Sequence, residues 1–128
     1  MKTEKAFTLI GKKLEKEHKK LGFKYSKKYR FLKKTTKKYD YYIFFSPFFE
    51  HIPAICIELR VTLIINNRTL LKTNINAHGE LFRMDLWEMG NHYNIADKTL
   101  VDNVYMDLKN KIETYLIPQI KKLEEKNQ

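Results

Sequence analysis

Residues Ala54–Ile65 alternate between two kinds of side chain at every position. The even-numbered positions are mixed and include Cys56, Glu58 and Arg60. The odd-numbered positions are all branched aliphatic, namely Ile55, Ile57, Leu59, Val61, Leu63 and Ile65. A period of two with many β-branched residues predicts a strand that buries one face. The middle of the chain is therefore predicted to be a sheet.

A helix is predicted before this sheet, from Thr3 to Leu21. Thr3 is a suitable N-cap, and Gly22 is a suitable residue for ending the helix. At 100° per residue, one arc of about 120° is apolar; it contains Ala6, Phe7, Ile10, Leu14 and Leu21. The opposite arc is basic and contains Lys12, Lys13, Lys16, Lys19 and Lys20.

A second helix is predicted after the sheet, with Asp97 as its N-cap. Its apolar arc contains Val101, Val104, Tyr105, Leu108, Ile112, Tyr115 and Leu116. Pro118 is predicted to kink or break this helix near Ile117, because the proline ring clashes with the preceding turn.

Four further strands are predicted from alternation and from turn residues. The connection Lys33–Lys38 is predicted to be a basic hairpin tip. A loop is predicted between Pro47 and Pro53, and turns are predicted at Asn66-Asn67 and His78-Gly79. The strands are Phe23–Leu32, Tyr39–Ser46, Arg68–Ile75 and Leu81–Met89.

The order of these elements predicts a single α+β domain spanning residues 1–128. Two amphipathic helices can bury their apolar arcs against the apolar face of a sheet of about five mostly antiparallel strands. That arrangement is a two-layer sandwich. We expect both helices to cover the Ile55–Ile65 face. The other face would carry Cys56, Glu58, Arg60 and part of the aromatic set of Tyr39–Ser46. If that face is uncovered, it is a candidate contact site or homodimer interface.

The net charge of +10 comes from 21 lysines and only 4 arginines among the basic residues. Clustered lysines favour binding to phosphates, but arginine is the usual reader of base edges. The 58 Lys, Asn, Ile, Phe and Tyr residues, against 15 Ala, Gly, Pro and Arg, are also what an A/T-rich genome would encode. A single Cys56 and the lack of a ~20-residue apolar run predict a cytoplasmic protein that does not cross a membrane.

The succession of elements is similar to that of a known group of domains. A helix ends on Leu21-Gly22-Phe23, and strands carrying Tyr29-Arg30 and Tyr41–Ser46 follow. The long strand comes next, and Trp87 precedes a helix interrupted by Pro118. This pattern resembles a group of small bacterial α+β domains of unknown function, some of which occur beside toxins as immunity proteins do. The resemblance implies a domain that acts by binding, and it transfers no catalytic residue.

No catalytic constellation, metal or cofactor is predicted. Asp40, Glu58 and Arg60 faintly match the carboxylates and cation of a metal-dependent nuclease, in which two carboxylates hold Mg²⁺. A surface charge pair explains them more simply. The histidines lack the spacing of a zinc site, and four glycines leave little room for a phosphate loop.

The leading hypothesis is a non-enzymatic binding module, such as an immunity or antitoxin protein for an acidic toxin, steered by its positive surface. One alternative is a sequence-tolerant binder of single-stranded nucleic acid, since tyrosines among the lysines could stack on bases. A divergent metal-dependent nuclease using Asp40, Glu58 and Arg60 is the other alternative. The same charge also has an explanation that involves no binding function. The lysines of the helix would simply face solvent, and those of the hairpin would prevent edge-to-edge aggregation of the sheet. The candidate partner-binding residues are Lys24, Lys27, Lys28, Tyr29, Arg30, Lys33, Lys34, Lys37, Lys38, Tyr39, Arg60 and Trp87.

Overall fold

The computed structural model describes residues 3–51, 55–68, 80–95 and 98–126. The helical elements are α1 (Thr3–Glu17), 3-10 turns at Lys19–Leu21 and Leu86–Met89, α2 (Lys98–Lys111), a π-helical turn (Ile112–Leu116) and α3 (Ile117–Lys126). The strands are β1 (Lys24–Ser26), β2 (Phe31–Thr35), β3 (Tyr39–His51), β4 (Ile55–Asn67), β5 (Glu80–Asp85) and β6 (Tyr93–Asn94).

All described strands belong to one six-stranded antiparallel sheet in the order β1-β2-β3-β4-β5, with β6 also paired to β4. The β3–β4 hairpin forms its centre, and its pairing extends from Tyr39 opposite Asn67 to His51 opposite Ile55. The predicted α+β fold, with an N-terminal helix, an antiparallel sheet and a C-terminal helix, is confirmed.

The core lies between the helices and one face of the sheet. Leu59, Val61, Leu63 and Ile65 of β4 are completely buried, as the alternation predicted. The apolar arc of α1 packs in the same core, where the rings of Phe7 and Phe45 lie 5.8 Å apart at their centroids. Burial of this apolar surface is the main stabilising contribution to the fold. The side chains of Ile55 and Ile57 lie outside the described part.

The predicted strand Phe23–Leu32 is wrong as one element, because it contains a hairpin. β1 and β2 pair with each other, and the turn between them runs from Lys27 to Arg30. Arg30 has a positive φ of 54°. No Gly, Asn or Pro marks this turn. Ser26, which accepts a hydrogen bond from the Tyr29 N–H at 3.3 Å, is its one turn-favouring residue, and serine marks turns only weakly. The predicted tip Lys33–Lys38 is correspondingly shorter, since its first three residues belong to β2 and only residues 36–38 connect β2 to β3.

The loop predicted from Pro47 is also wrong, because β3 continues through Pro47 to His51. Pro47 lies opposite Leu59 of β4. The pairing of β2 with β3 ends at Phe44, so Pro47 has a described neighbour on one side only. Proline is tolerated there because an edge position does not need its missing N–H donor. Pro53 lies outside the described residues.

The predicted ends of the last strands need three corrections. Asn66 and Asn67 belong to β4 rather than to a turn. The strand predicted to reach Met89 ends at Asp85, and a 3-10 turn closed by Gly90 at φ 88° follows. The two-residue strand β6 was not anticipated. Most of the predicted strand Arg68–Ile75 and the turn His78-Gly79 lie outside the described residues.

The regular hydrogen bonding of the C-terminal helix is interrupted immediately before Pro118, where the kink is predicted. The N–H of Ile117 donates to the carbonyl of Ile112, five residues back, as in a π-helix. Proline cannot donate a bond to the preceding turn, and prolines and π-turns are both established sites of helix kinks. The predicted N-cap Asp97 lies outside the described residues. In the described part of the chain, no helix is both long and apolar enough to cross a membrane.

Candidate functional site

The sheet face opposite the core, here called the outer face, carries the candidate site. Its members follow from the register, because residues directly opposite in paired strands share a face. Tyr42 and Phe44 of β3 are only partly buried, while their neighbours Tyr41 and Ile43 are completely buried. The described residues of the outer face include Lys24, Phe31, Lys33, Tyr42, Phe44, Glu58, Arg60, Thr62, Ile64, Arg83 and Asp85.

Four aromatic rings form a contiguous aromatic strip at one end of this face: Tyr29, Phe31, Tyr42 and Phe44. Tyr29 stacks on Phe31 with centroids 5.5 Å apart, and Tyr42 stacks on Phe44 at 4.9 Å. Phe31 joins the two pairs by T-shaped packing, with its ring centroid 5.3 Å from that of Tyr42 and 5.2 Å from that of Phe44. Tyr29 is 59% exposed, the most exposed of the four aromatic residues.

Three lysines, Lys24, Lys28 and Lys33, accompany the aromatic strip. The Lys28 ammonium lies 5.2 Å from the centre of the Tyr29 ring, and the Lys33 ammonium lies 5.4 Å from that of Tyr42. Lys24 lies directly opposite Lys33 across β1 and β2. Like charges at directly opposite positions destabilise a sheet, so this pair is unfavourable for folding alone.

A second aromatic and cationic pair extends the strip across β4. The Arg60 guanidinium lies 4.3 Å from the centre of the Trp87 ring, a short cation–π distance. Arg60 is opposite Ser46, two residues along β3 from Phe44, which makes it a diagonal neighbour of the strip. The nearby carboxylate of Glu58 lies 2.6 Å from Nδ1 of His92.

The carboxylates on the described part of the outer face have partners within the protein. Asp85 accepts hydrogen bonds from the Thr62 hydroxyl at 2.6 Å and from Arg83 at 3.2 Å. Burial by itself would raise the pKa of Asp85, but these two donors lower it below its ordinary value. Asp40 accepts from Thr35 at 2.9 Å. The uncompensated charge around the strip is therefore positive.

The structure places the remaining predicted contact residues away from the aromatic strip. Tyr39 is buried in the core, because odd positions of β3 face the helices. Arg30 turns toward α1, where its Nε donates to Glu4 at 2.6 Å and its guanidinium lies over Phe7. Lys34 donates to the carbonyl of Leu21 on the helical side.

Three further lysines are also separate from the strip. Lys27 lines a groove beside α1 with Glu4 and Thr8. Lys37 and Lys38 lie in the turn at the other end of β2, where their carbonyls accept hydrogen bonds from Arg68. The basic hairpin of the sequence analysis is thus divided over two ends and two faces of the sheet.

The carboxylates of the proposed nuclease do not meet. Asp40 is opposite Asn66, which lies eight residues along β4 from Glu58. At roughly 3.3 Å per residue this separates the two by about 26 Å, far too much for one metal ion. Among the described residues, no group of three or more His, Cys, Asp or Glu side chains is placed to hold a metal.

The chain matches no model of a known protein family, no curated protein and no solved structure. The resemblance to small bacterial domains of unknown function, and the immunity role it implies, therefore stay predictions.

Sequence reasoning assigned part of the β3 aromatic set to the outer face but did not single out Phe31, Tyr42 or Phe44 as site residues. A usable signal was present. Phe31 and Lys33 alternate with the buried Leu32, as Tyr42 and Phe44 alternate with Ile43. Identifying the two alternating segments as strand partners would have brought the rings together.

Proposed function

We propose that the protein is a non-enzymatic binding module for single-stranded nucleic acid with little sequence preference. The observation that carries this proposal is the aromatic strip, four adjoining rings on the outer face with lysine ammonium groups over two of them. Rings that stack on bases and cations that follow the backbone are the two components of such sites.

The geometry supports single strands rather than duplexes. A ring can stack only on a base that is not already stacked within a helix, and sheet surfaces in other RNA-binding modules present aromatics in this way. Lysine also outnumbers arginine around the strip, and lysine interacts with phosphate as a point charge rather than reading base edges. Both features support binding through backbone charge and stacking.

An acidic protein partner, the leading hypothesis from the sequence, competes for the same charges. Positive potential would steer an acidic surface equally well. The aromatic strip decides our preference, because stacked rings flanked by ammonium groups complement alternating bases and phosphates. A homodimer through the outer face is also disfavoured as the main role, since it would bring two sets of lysines together.

We further propose that the protein acts in the cytoplasm. The sequence contains a single cysteine, Cys56, which cannot form an internal disulfide. A reducing compartment is consistent with that composition.

The test is fluorescence anisotropy with labelled dT and U oligonucleotides of about twelve nucleotides, a length within the usual site sizes. Tyr29→Leu should weaken binding by about 1–3 kcal/mol, the usual contribution of one stacked base. The matched control is Tyr105→Leu on α2, because Tyr105 also has a lysine, Lys13, 5.3 Å from its ring centre. The control should bind as the unmodified protein does.

Salt dependence gives a second readout. Several lysine–phosphate contacts predict that log K falls with log salt with a slope of about −2 to −4. Absence of binding, salt-independent binding, or equal losses for Tyr29→Leu and Tyr105→Leu would each overturn the proposal. Displacement of the oligonucleotide by poly-glutamate at equal charge concentration would instead favour the acidic protein partner.

A further inference from the structure

A lysine-lined groove lies at the edge of the sheet, between the end of α1 and β1. It has a volume of about 430 Å³. Gly22 and the buried Phe23 form part of its lining. The charged residues that line this lysine groove are Lys12, Glu15, Lys16, Lys19 and Lys24.

The lysine groove carries a net positive charge with little internal neutralisation. Glu15, the one acid among the described residues that line it, accepts a hydrogen bond from the Tyr25 N–H at 3.0 Å and pairs with Lys12 at 3.5 Å. Lys16, Lys19 and Lys24 have no carboxylate within ion-pair distance in residues 3–51, 55–68, 80–95 and 98–126.

The helix dipole accounts for only part of this cluster. Lys16 is in the last turn of α1, where a cation is favourable next to the negative helix end. That argument does not apply to Lys24, which comes from β1 and already faces Lys33 across the sheet. Three cations from a helix, a turn and a strand thus converge on one groove, at a cost in repulsion.

Lys24 connects the lysine groove to the aromatic strip. It lines the groove, and it is also the outer-face neighbour of Lys33, whose ammonium lies over Tyr42. Two strand spacings, about 10 Å, separate the backbone of Lys24 from that of Tyr42. A nucleic-acid strand bound to the aromatic strip can therefore cross β1 into the lysine groove. Lysine side chains lie along the whole of that path.

We infer that the lysine groove binds phosphates of the same single strand where it leaves the aromatic strip. This inference rests on the proposed function and extends it to a bipartite site, with bases stacked on the sheet and phosphates held beside α1. Lys16 and Lys19 contact phosphates only, so they add affinity without sequence preference and increase the salt dependence.

The experiment measures how tightly the full chain binds oligonucleotides of two lengths. One dT probe of about four nucleotides covers the strip, and one of about twelve reaches the groove as well. The double variant Lys16→Gln/Lys19→Gln is measured beside the matched control Lys121→Gln/Lys122→Gln, which removes the same charge from exposed positions of α3.

The groove variant should bind the long probe about tenfold more weakly, with its salt slope less negative by about 1.4, or 0.7 for each lost phosphate contact. The short probe should bind it as tightly as it binds the control variant. If the groove variant and the control lose affinity equally, or if the salt slope is unchanged, the bipartite site is overturned while the proposed function stands. If the unmodified protein binds neither probe, both are overturned.

Discussion

Tyr41 and Tyr42 are neighbours in the sequence and have opposite roles. Tyr41 faces the helices, is completely buried, and donates a hydrogen bond from its hydroxyl to Glu124 at 2.6 Å. Burial and this carboxylate raise the pKa of Tyr41. Tyr42 faces the other way, remains partly exposed and lies under the ammonium of Lys33. One residue along a strand thus separates a side chain that stabilises the fold from one available to a ligand.

The same contrast holds for the two faces of the sheet as wholes. The inner face is apolar, and the helices cover it. The outer face combines rings with cations and tolerates a directly opposed pair, Lys24 and Lys33. Natural proteins accept such locally unfavourable arrangements most often where they serve binding. Substitutions on the two faces should therefore affect different measurements.

The largest expected difference concerns Leu63 and Ile64 at the centre of β4. Leu63 is completely buried and Ile64 only partly. Leu63→Ala should lower the free energy of unfolding by about 2–5 kcal/mol through lost burial and a cavity, and Ile64→Ala by about 1 kcal/mol. Urea denaturation of both variants measures this difference. Equal losses would show that the two faces are not distinguished as described.

The next largest effect is expected at Gly11 in the middle of α1. A Cβ atom there would come closer than 3.0 Å to the ring of Tyr25 on the inner side of β1. Gly11→Ala should lower stability by about 1–3 kcal/mol from overpacking, despite the higher helix propensity of alanine. In a Tyr25→Leu background the substitution should cost less, or even stabilise the protein. A double-mutant cycle followed by thermal unfolding tests this coupling.

A smaller, pH-dependent effect is expected from His18, which is buried at the end of α1 with no described hydrogen-bond partner for its Nε2. Burial lowers its pKa below the ordinary value of 6.5, although Glu113 and Glu17 oppose that shift and Lys109 supports it. Between the lowered value and 6.5 the unfolded chain binds more protons than the folded protein. The His18 contribution to stability is therefore complete above pH 6.5 and is lost as pH falls through the folded pKa.

The measurement is the free energy of unfolding from urea titrations between pH 7.5 and 5.5, compared with His18→Gln. Subtracting the two curves removes the contribution of the other titrating groups. The unmodified protein should lose more stability than the variant as pH falls. Parallel curves would contradict the buried, neutral state of His18.

The smallest expected effect on stability has the opposite sign. Lys24→Gln relieves the repulsion with Lys33 and should stabilise the fold by a few tenths of a kcal/mol, the scale of one cross-strand pair. The same substitution should weaken oligonucleotide binding, since Lys24 serves both the aromatic strip and the lysine groove. Lys121→Gln is the control for both quantities. A Lys24→Gln variant that is less stable and binds unchanged would remove the functional explanation of this pair.

The parts of the fold that the sequence revealed are those with long, regular patterns. Alternation in Ala54–Ile65 identified β4 and its buried face, and the apolar arcs identified α1 and the C-terminal helix. The short strands β1 and β6 were not predicted as separate elements. With three and two residues, they are too short for a period to be recognised. The turn ending at Arg30 contains no Gly, Asn or Pro, and Arg30 adopts its positive φ where its carbonyl accepts a hydrogen bond from the Phe45 N–H, a contact between residues distant in sequence.

Only about half of the contact residues predicted from the sequence lie at the candidate site. Of the predicted contact residues, Lys24, Lys28, Tyr29 and Lys33 meet at the aromatic strip, and Arg60 with Trp87 extends it. The others are divided among the core, α1 and the distant turn, because a linear run of lysines says nothing about which side of a hairpin each one faces. The distance between Asp40 and Glu58 likewise depends on register, which a single sequence specifies only indirectly.

The order of side chains along the chain determined the class of fold, since the periods of 2 and 3.6 residues express which surfaces must leave water. It also determined the excess of positive charge. Only the tertiary structure decided where that charge acts. Pairing of β1, β2 and β3 brought Tyr29, Phe31, Tyr42 and Phe44 onto the outer face, and packing of α1 against β1 formed the lysine groove beside it. Residues far apart in sequence become one surface through strand register and helix docking, and these depend on contacts that no local pattern contains.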